Sequence, residues 1–391
     1  MIDFNNTEIA FRIRSKGELI KAKLLFGAVK SPAMVKALNG ITSFALKVGF
    51  PVGWLVKPTL YVQFVGGERL SDCDKTAQKL SAYGVSSILD YSVEGKEDDE
   101  SIEACFEEIK QSVLFGAKRS YVAFAVFKPT GITHAQILEK VSSEIQLSEE
   151  EQGEYERFVK RVDVLCALAA QVGTPILIDA EDYCYQKAID EVVEMMMERY
   201  NKEKAVVYNT LQMYRTDRLD YLKMLHQKAR EVGFRAGVKF VRGAYMEKER
   251  LRATERGYPS PINPTKEVTD QMYDDALIYT MQNIDDFAIF VGTHNEDSIK
   301  LLVELVYKYA IDVKDSRIWL SQLYGMSDNL SFNLAYEGFN VAKYLPYGPV
   351  KEVLPYLTRR ATENTAVAGQ TSRELNLINQ EIERRKAYKE W

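Results

Sequence analysis

A chain of 391 residues, 46% hydrophobic and 27% charged, has the length and composition of a soluble globular protein with one large domain plus an arm, or two ordinary domains. Its net charge of −5 gives no electrostatic reason to expect nucleic acid. Four cysteines (Cys73, Cys105, Cys166, Cys184) and three histidines (His134, His226, His294) are scattered without ligand spacing, which predicts reduced thiols in the cytoplasm and no metal site.

The first residues, MIDFNNTEIAFRIRSKG, lack a long apolar core and do not read as a secretory signal. Residues 1–85 are expected to form a mostly helical arm. The longest apolar stretch, residues 44–65, is interrupted by Lys47, Pro51, Lys57 and Pro58, so it cannot span a bilayer as one helix. Packing against the rest of the protein is its expected use, and contact with a membrane surface is the alternative.

From residue 86 onward the pattern becomes regular. Short β-branched or aromatic runs begin at Ser86 (SSILDYSV), Tyr121 (YVAFAVF), Pro175 (PILIDA) and Ala205 (AVVYNTLQ). Four more begin at Ala236 (AGVKFVRG), Asp286 (DFAIFVGTHN), Ile318 (IWLSQLYG) and Asn340 (NVAKYLPYG). Amphipathic helical patterns such as QKAIDEVVEMMMERY and RLDYLKMLHQKAREVG separate them. Eight β-then-α units with strands apolar on both faces predict an α/β fold, a (β/α)8 barrel over residues 86–391. An open doubly wound sheet fits less well, because no GxGxxG follows the first strand. Residues 128–174 and 245–285 are longer than one helix needs and read as insertions at the catalytic end. The tail from Ser372 reads as one more charged amphipathic helix.

Reactive groups of such barrels collect at the C-terminal ends of the strands. Lys128 directly follows YVAFAVF; a solvated loop lysine is the plain reading, and a buried cation paired with Asp179 across neighbouring strands is the sharper one. Asp179 itself, in IDAEDY, could equally be a loop acid or a helix cap. Lys239 lies inside the apolar run AGVKFVRG, where an ammonium must find a partner or suffer heavy desolvation. Gln212 and Tyr214 share that logic more weakly, and His294 is polar at a strand end. Arg359 and Arg360 sit in a helical pattern. An arginine pair on a helix is ordinarily a solvated face, but two guanidinium forks can also enclose one carboxylate. With VKFVRGAYMEKE at another strand end, they suggest a small carboxylate-bearing substrate held among tyrosines.

These residues carry a family resemblance. VRGAY (241–245), IDAE (178–181), QMY (212–214), GTHN (292–295), LYGM (323–326) and YLTRRATEN (356–364) occur in the order and spacing of proline dehydrogenases, as do FVGGE (64–68) and SILDY (87–91). The chain resembles a monofunctional member over residues 61–391, with no room for the aldehyde dehydrogenase module or DNA-binding segment of the large bifunctional relatives. The resemblance implies an FAD enzyme on a distorted (β/α)8 barrel. Its reaction would be oxidation of L-proline to Δ1-pyrroline-5-carboxylate, with hydride passing to flavin N5 and electrons to a membrane quinone. Arg359 and Arg360 would hold the proline carboxylate with Lys128, which Asp179 positions. Tyr245 and Tyr347 would wall the ring, with Leu323 as an apolar contact. Gln212, Lys239 and His294 match flavin-contacting positions, and Glu363 matches one near the ribityl–adenosine part. Glu68 matches an acid that pairs with Arg359 in the empty site. A lysine at position 239, where many bacterial members carry arginine, bears on flavin geometry, and Tyr347 points to proline over hydroxyproline. The implied location is cytoplasmic, with peripheral contact at the inner membrane face. The rival readings are a flavin-free barrel lyase using Lys128 or Lys239 as a Schiff-base amine, a flavin barrel reductase of the folate type, and a non-catalytic binding scaffold.

Overall fold

The computed structural model describes residues 2–29, 57–92, 97–366 and 368–388, without the side chains of residues 29, 58 and 361–371. Residues 44–56 of the apolar stretch and the side chain of Glu363 therefore lie outside the described residues.

Eight parallel strands close a barrel in chain order. They are β1 (Val85–Tyr91), β2 (Val122–Phe127), β3 (Ile176–Ile178), β4 (Val207–Gln212), β5 (Ala236–Val241), β6 (Phe287–Gly292), β7 (Ile318–Leu323) and β8 (Val341–Tyr347). Seven lie within an expected run, and β1 begins one residue before its run, at Val85. The strands are shorter than the runs where polar residues begin, as at Asp179 after β3 and Thr293 after β6, because those residues turn into loops.

Among the described residues the arm carries α1 (Thr7–Phe11), α2 (Lys16–Val29), short helical turns at Lys57–Tyr61 and Val62–Phe64, and α3 (Leu70–Ser81). The helix between β1 and β2 is α4 (Asp99–Ala117). Two helices follow β2, α5 (Ala135–Ser142) and α6 (Glu149–Val172). Then come α7 (Tyr183–Tyr200), α8 (Arg218–Val232), the pair α9 (Met246–Arg256) and α10 (Lys266–Gln282), α11 (Glu296–Lys308), and α12 (Asp328–Tyr336). Two helices end the chain, α13 (Val350–Ala366) and α14 (Ala368–Ala387). Each of the two long gaps thus holds a pair of helices, and the tail is helical as expected. The acidic segment before residue 158 starts α6 by a capping box: Ser148 Oγ accepts from Glu151 N–H at 3.3 Å, and Glu151 accepts from Ser148 N–H at 3.0 Å. Three glutamates in its first turn oppose the positive end of the helix dipole, and Gly173 ends it in the left-handed region.

The chain divides into two compact units. In the unit of Val93–Ser321, rings from alternate strands meet: Phe124 on β2 stands edge-on to Tyr208 on β4 (5.4 Å between centroids) and to Phe290 on β6 (5.1 Å). Contributions from alternate strands are how side-chain layers fill such a barrel. Trp319 on β7 makes a third edge contact at 5.4 Å.

In the unit of Met1–Ser92 with Gln322–Trp391, β1 pairs with β8 from Val85↔Val341 to Tyr91↔Tyr347. The arm buries Ala10, Phe11, Leu19 and Phe26 in one apolar cluster with Phe64, Leu354, Leu357 and Ile378. A buried charged chain runs beside it. Arg14 Nε donates to Asp328 Oδ2 at 3.0 Å, the Lys343 ammonium lies 3.1 Å from Asp328 Oδ1, and Glu374 on α14 accepts from the Ser327 N–H. Burial works against ionising Asp328, yet Arg14 and then Lys343 bring its pKa below the ordinary value. Glu374, buried and facing the Asp328 carboxylate, is pushed up to about 7.

Candidate active site

The register of β2 on β3 pairs Phe127 with Ile178, so the next residues, Lys128 and Asp179, leave neighbouring strands side by side. Asp179 N–H also donates to Phe127 O at 3.0 Å. Lys128 Nζ donates to Asp179 Oδ2 at 2.8 Å, and Lys239 Nζ, from β5, donates to Oδ1 at 2.5 Å. One carboxylate therefore holds two ammonium groups, all three nearly buried. Burial alone would raise the Asp179 pKa; Lys128 and then Lys239 override it and hold the group well below the usual carboxylate range.

The pairing expected for Lys128 also accommodates Lys239, whose need for a partner was legible in its apolar strand. Glu181, two residues past Asp179, holds the same β2 loop from behind: it accepts from the Thr130 N–H at 2.8 Å and from the Thr130 hydroxyl. The IDAE spacing is the signal for that second contact, since residues two apart in an extended segment point the same way.

Other expected residues of this unit stand at neighbouring strand ends. Gln212 closes β4, is 3% exposed, and is paired in register with Val241. Thr210, also on β4 and in register with Lys239, has a buried hydroxyl without a hydrogen-bond partner among the described residues. Tyr245 is half-buried where α9 begins, and His294 is half-buried just past β6. The turn between β5 and Tyr245 requires Gly243: its φ is +126°, and an added Cβ would lie 2.5 Å from ring carbons of Tyr214.

In the other unit, Leu323 ends β7 and packs on the apolar cluster, and Tyr347 ends β8 fully buried. Its ring lies 5.3 Å from that of Tyr91. The FVGGE segment joins the same strand end: Gly66 N–H donates to Pro346 O at 2.8 Å, and Gly67 bridges Tyr347. Glu68 follows directly and forms an ion pair with Lys57. Arg359 and Arg360 lie on α13; Arg360 is 8% exposed, with its guanidinium carbon 5.2 Å from the Tyr356 ring centroid. That burial separates Arg360 from the solvated-face reading of an arginine pair.

The sequence model of the proline dehydrogenase family matches residues 73–373. The chain belongs to the proline dehydrogenase family. It is 34% identical over 323 residues to the carbapenem antibiotics biosynthesis protein CarD of Pectobacterium carotovorum subsp. carotovorum, covering 82% of this chain and 83% of that protein. To mitochondrial proline dehydrogenase 1 of Dictyostelium discoideum it is 33% identical over 379 residues, covering 86% of this chain and 66% of that one. The human mitochondrial proline dehydrogenase 1 is 40% identical over 243 residues, 61% of this chain and 40% of that one. The chain thus spans less than two thirds of these two mitochondrial relatives. Proline utilization A from Bdellovibrio bacteriovorus, solved after inactivation by N-propargylglycine, superposes with a TM-score of 0.71 over 93% of this chain and 36% of that one. At 20% identity, that likeness speaks for the fold.

Proposed function

We propose that this protein is an FAD-dependent proline dehydrogenase that oxidises L-proline to Δ1-pyrroline-5-carboxylate and passes the electrons to a membrane quinone. This is the first step of proline catabolism. The observation that carries the reading is the Lys128–Asp179–Lys239 cluster at the strand ends of a chain of this family.

The donor set suits a flavin dinucleotide. Gln212 and the Thr293–His294 pair offer hydrogen-bonding groups, Lys239 a fixed cation, and Thr210 a buried hydroxyl still to be satisfied. In this reading Gln212, Lys239 and His294 hold the cofactor, and Glu363 lies near its ribityl–adenosine part. The bound flavin supplies a two-electron acceptor for the substrate's C–N bond.

Arg359 and Arg360 bind the proline carboxylate as forked donors, and Lys128 adds a third cation. Asp179 keeps Lys128 in one orientation, and the shared carboxylate also fixes Lys239. Lys239 then stands as a preset positive charge where negative charge develops during oxidation. Tyr245 and Tyr347 wall the ring and Leu323 adds an apolar contact, so that the donor carbon is oriented and water is excluded. Glu68 pairs with Arg359 when substrate is absent, making an ion-pair gate.

The catalytic barrel comprises residues 86–391 in this reading, with residues 1–85 as its arm. The protein works in the cytoplasm and meets its quinone at the inner membrane face by peripheral contact. Among the described residues no helix is long and apolar enough to cross a membrane.

Incubation with L-proline and a soluble quinone, followed by o-aminobenzaldehyde trapping, tests the assignment. Formation of the pyrroline adduct is expected; no adduct from FAD-saturated protein would remove it. The similarity to CarD supports a second reading, in which the same oxidation serves biosynthesis.

A further inference from the structure

We propose that Arg242 is a positioning residue for the cofactor site: its guanidinium fixes the loop that carries His294 against the loop that carries Tyr245. The inference rests on the flavoenzyme reading above and assigns a role to a strand-end residue that this reading leaves unused.

Arg242 is the first residue past β5. Its three nitrogens go to three different elements. Nε donates to Asp270 Oδ1 on α10 at 2.7 Å, Nη1 to Thr293 Oγ1 past β6 at 2.8 Å, and Nη2 to Ser298 Oγ on α11 at 3.0 Å. Its guanidinium carbon also lies 4.4 Å from the Tyr273 ring centroid. Its own carbonyl accepts from Tyr214 N–H at 2.8 Å, which ties in the loop after β4. A solvated strand-end arginine would have no such set of partners. A planar fork with five N–H groups can serve three directions above a ring at once, and a lysine ammonium cannot.

The hydroxyl that Arg242 grips is the pivot of the GTHN segment. Thr293 Oγ1 also accepts from Asn295 N–H at 3.0 Å, so it holds both flanks of His294. Asn295 in turn caps α11, accepting from the N–H groups of Asp297 at 2.9 Å and Ser298 at 3.1 Å. Ser298 Oγ donates onward to Asp274 at 2.6 Å, which orients that hydroxyl to receive Arg242. On the other side, Gly243 turns the chain tightly toward Tyr245. Arg242 thus sits at the join of three loops, those bearing Gln212, Tyr245 and His294. The exposure of the Arg242 and Asp270 side chains, 22% and 25%, makes the ion pair a modest energetic item, so the consequence lies in geometry.

The test uses the full chain, stripped of flavin and reloaded, as wild type and as Arg242→Gln, Arg242→Lys and Thr293→Val. Two quantities are read: the FAD dissociation constant, and the histidine ring signals of the flavin-free protein carrying 13C-histidine. Only three histidines are present, so the His294 signal is assignable by substitution. The proposal predicts that Arg242→Gln weakens FAD binding at least tenfold and moves the His294 signal, leaving those of His134 and His226 in place. Arg242→Lys recovers little, and Thr293→Val reproduces the loss without adding to it in the double variant. An FAD dissociation constant within twofold of wild type and an unmoved His294 signal would overturn it. Should Arg242→Gln fail to fold, the same two readings on Thr293→Val decide the question by the same limits. Wild-type protein that takes up no FAD would contradict the flavoenzyme reading instead, and the His294 signal would still decide whether Arg242 sets that loop.

Discussion

Lys239 Nζ lies 2.5 Å from Asp179 Oδ1, on the carboxylate whose other oxygen holds Lys128. The two lysines, from β2's end and from β5, are therefore coupled through one buried acid. Asp179→Asn keeps the shape and removes the charge that both ammonium groups need. Breaking a buried pair in this way costs about 3–5 kcal/mol. Urea unfolding should show a loss of that order, together with a raised proline KM. The folded pKa of Asp179 lies below its unfolded value. Its stabilisation is therefore complete above the ordinary aspartate range, about pH 4, and is lost as the pH falls further through the folded value.

Arg359→Met and Arg360→Met should each raise the proline KM strongly, with about 2–5 kcal/mol lost per buried charge-pair partner. Steady-state kinetics at saturating quinone reads this directly, and an unchanged KM would withdraw the carboxylate role. Arg360, the more buried of the two, should show the larger effect.

Tyr347→Ser removes a fully buried phenol at the end of β8. The space it leaves would take a 4-hydroxyl, so the variant should accept hydroxyproline relative to proline better than wild type does. A preference unchanged from wild type in competition assays would take Tyr347 out of the specificity argument.

Glu374 has a folded pKa of about 7, above its unfolded value. The native state keeps this proton longer, so the contribution to stability is greatest below the unfolded pKa and falls as the pH rises toward 7. Glu374→Gln should flatten that slope, and at pH 8 it should be more stable than wild type by about 3 kcal/mol at most. Urea midpoints at pH 5 and pH 8 check it, and parallel slopes in the two proteins would count against a titrating Glu374.

Phe124 meets the rings of Tyr208, Phe290 and Trp319. Phe124→Ala should cost about 3–5 kcal/mol, through lost burial and the cavity left among rings that cannot close on it. A thermal midpoint close to wild type would mean that this aromatic layer does not hold the barrel.

The barrel was legible because a doubly buried parallel strand leaves a plain trace, a short β-branched or aromatic run between helical periods, and all eight runs contain strands. Strand ends were legible less sharply, since the polar residues that end them look like part of the run until the loop is seen. Lys239 was conspicuous as a charge in an apolar strand. Lys343, equally buried within β8, bears the same mark without a motif around it to draw notice; it answers to Asp328 across the β7–β8 connection. Arg242 was hidden for another reason. Its partners are a carboxylate and two hydroxyls from other elements, and no spacing within the sequence encodes such contacts.

The most direct measurement is an anaerobic visible spectrum of the purified, FAD-loaded protein before and after L-proline. The account predicts an oxidised-flavin spectrum that proline bleaches and NADH does not. A flavin spectrum left unchanged by proline, or a protein that stays colourless when supplied with FAD, would contradict it.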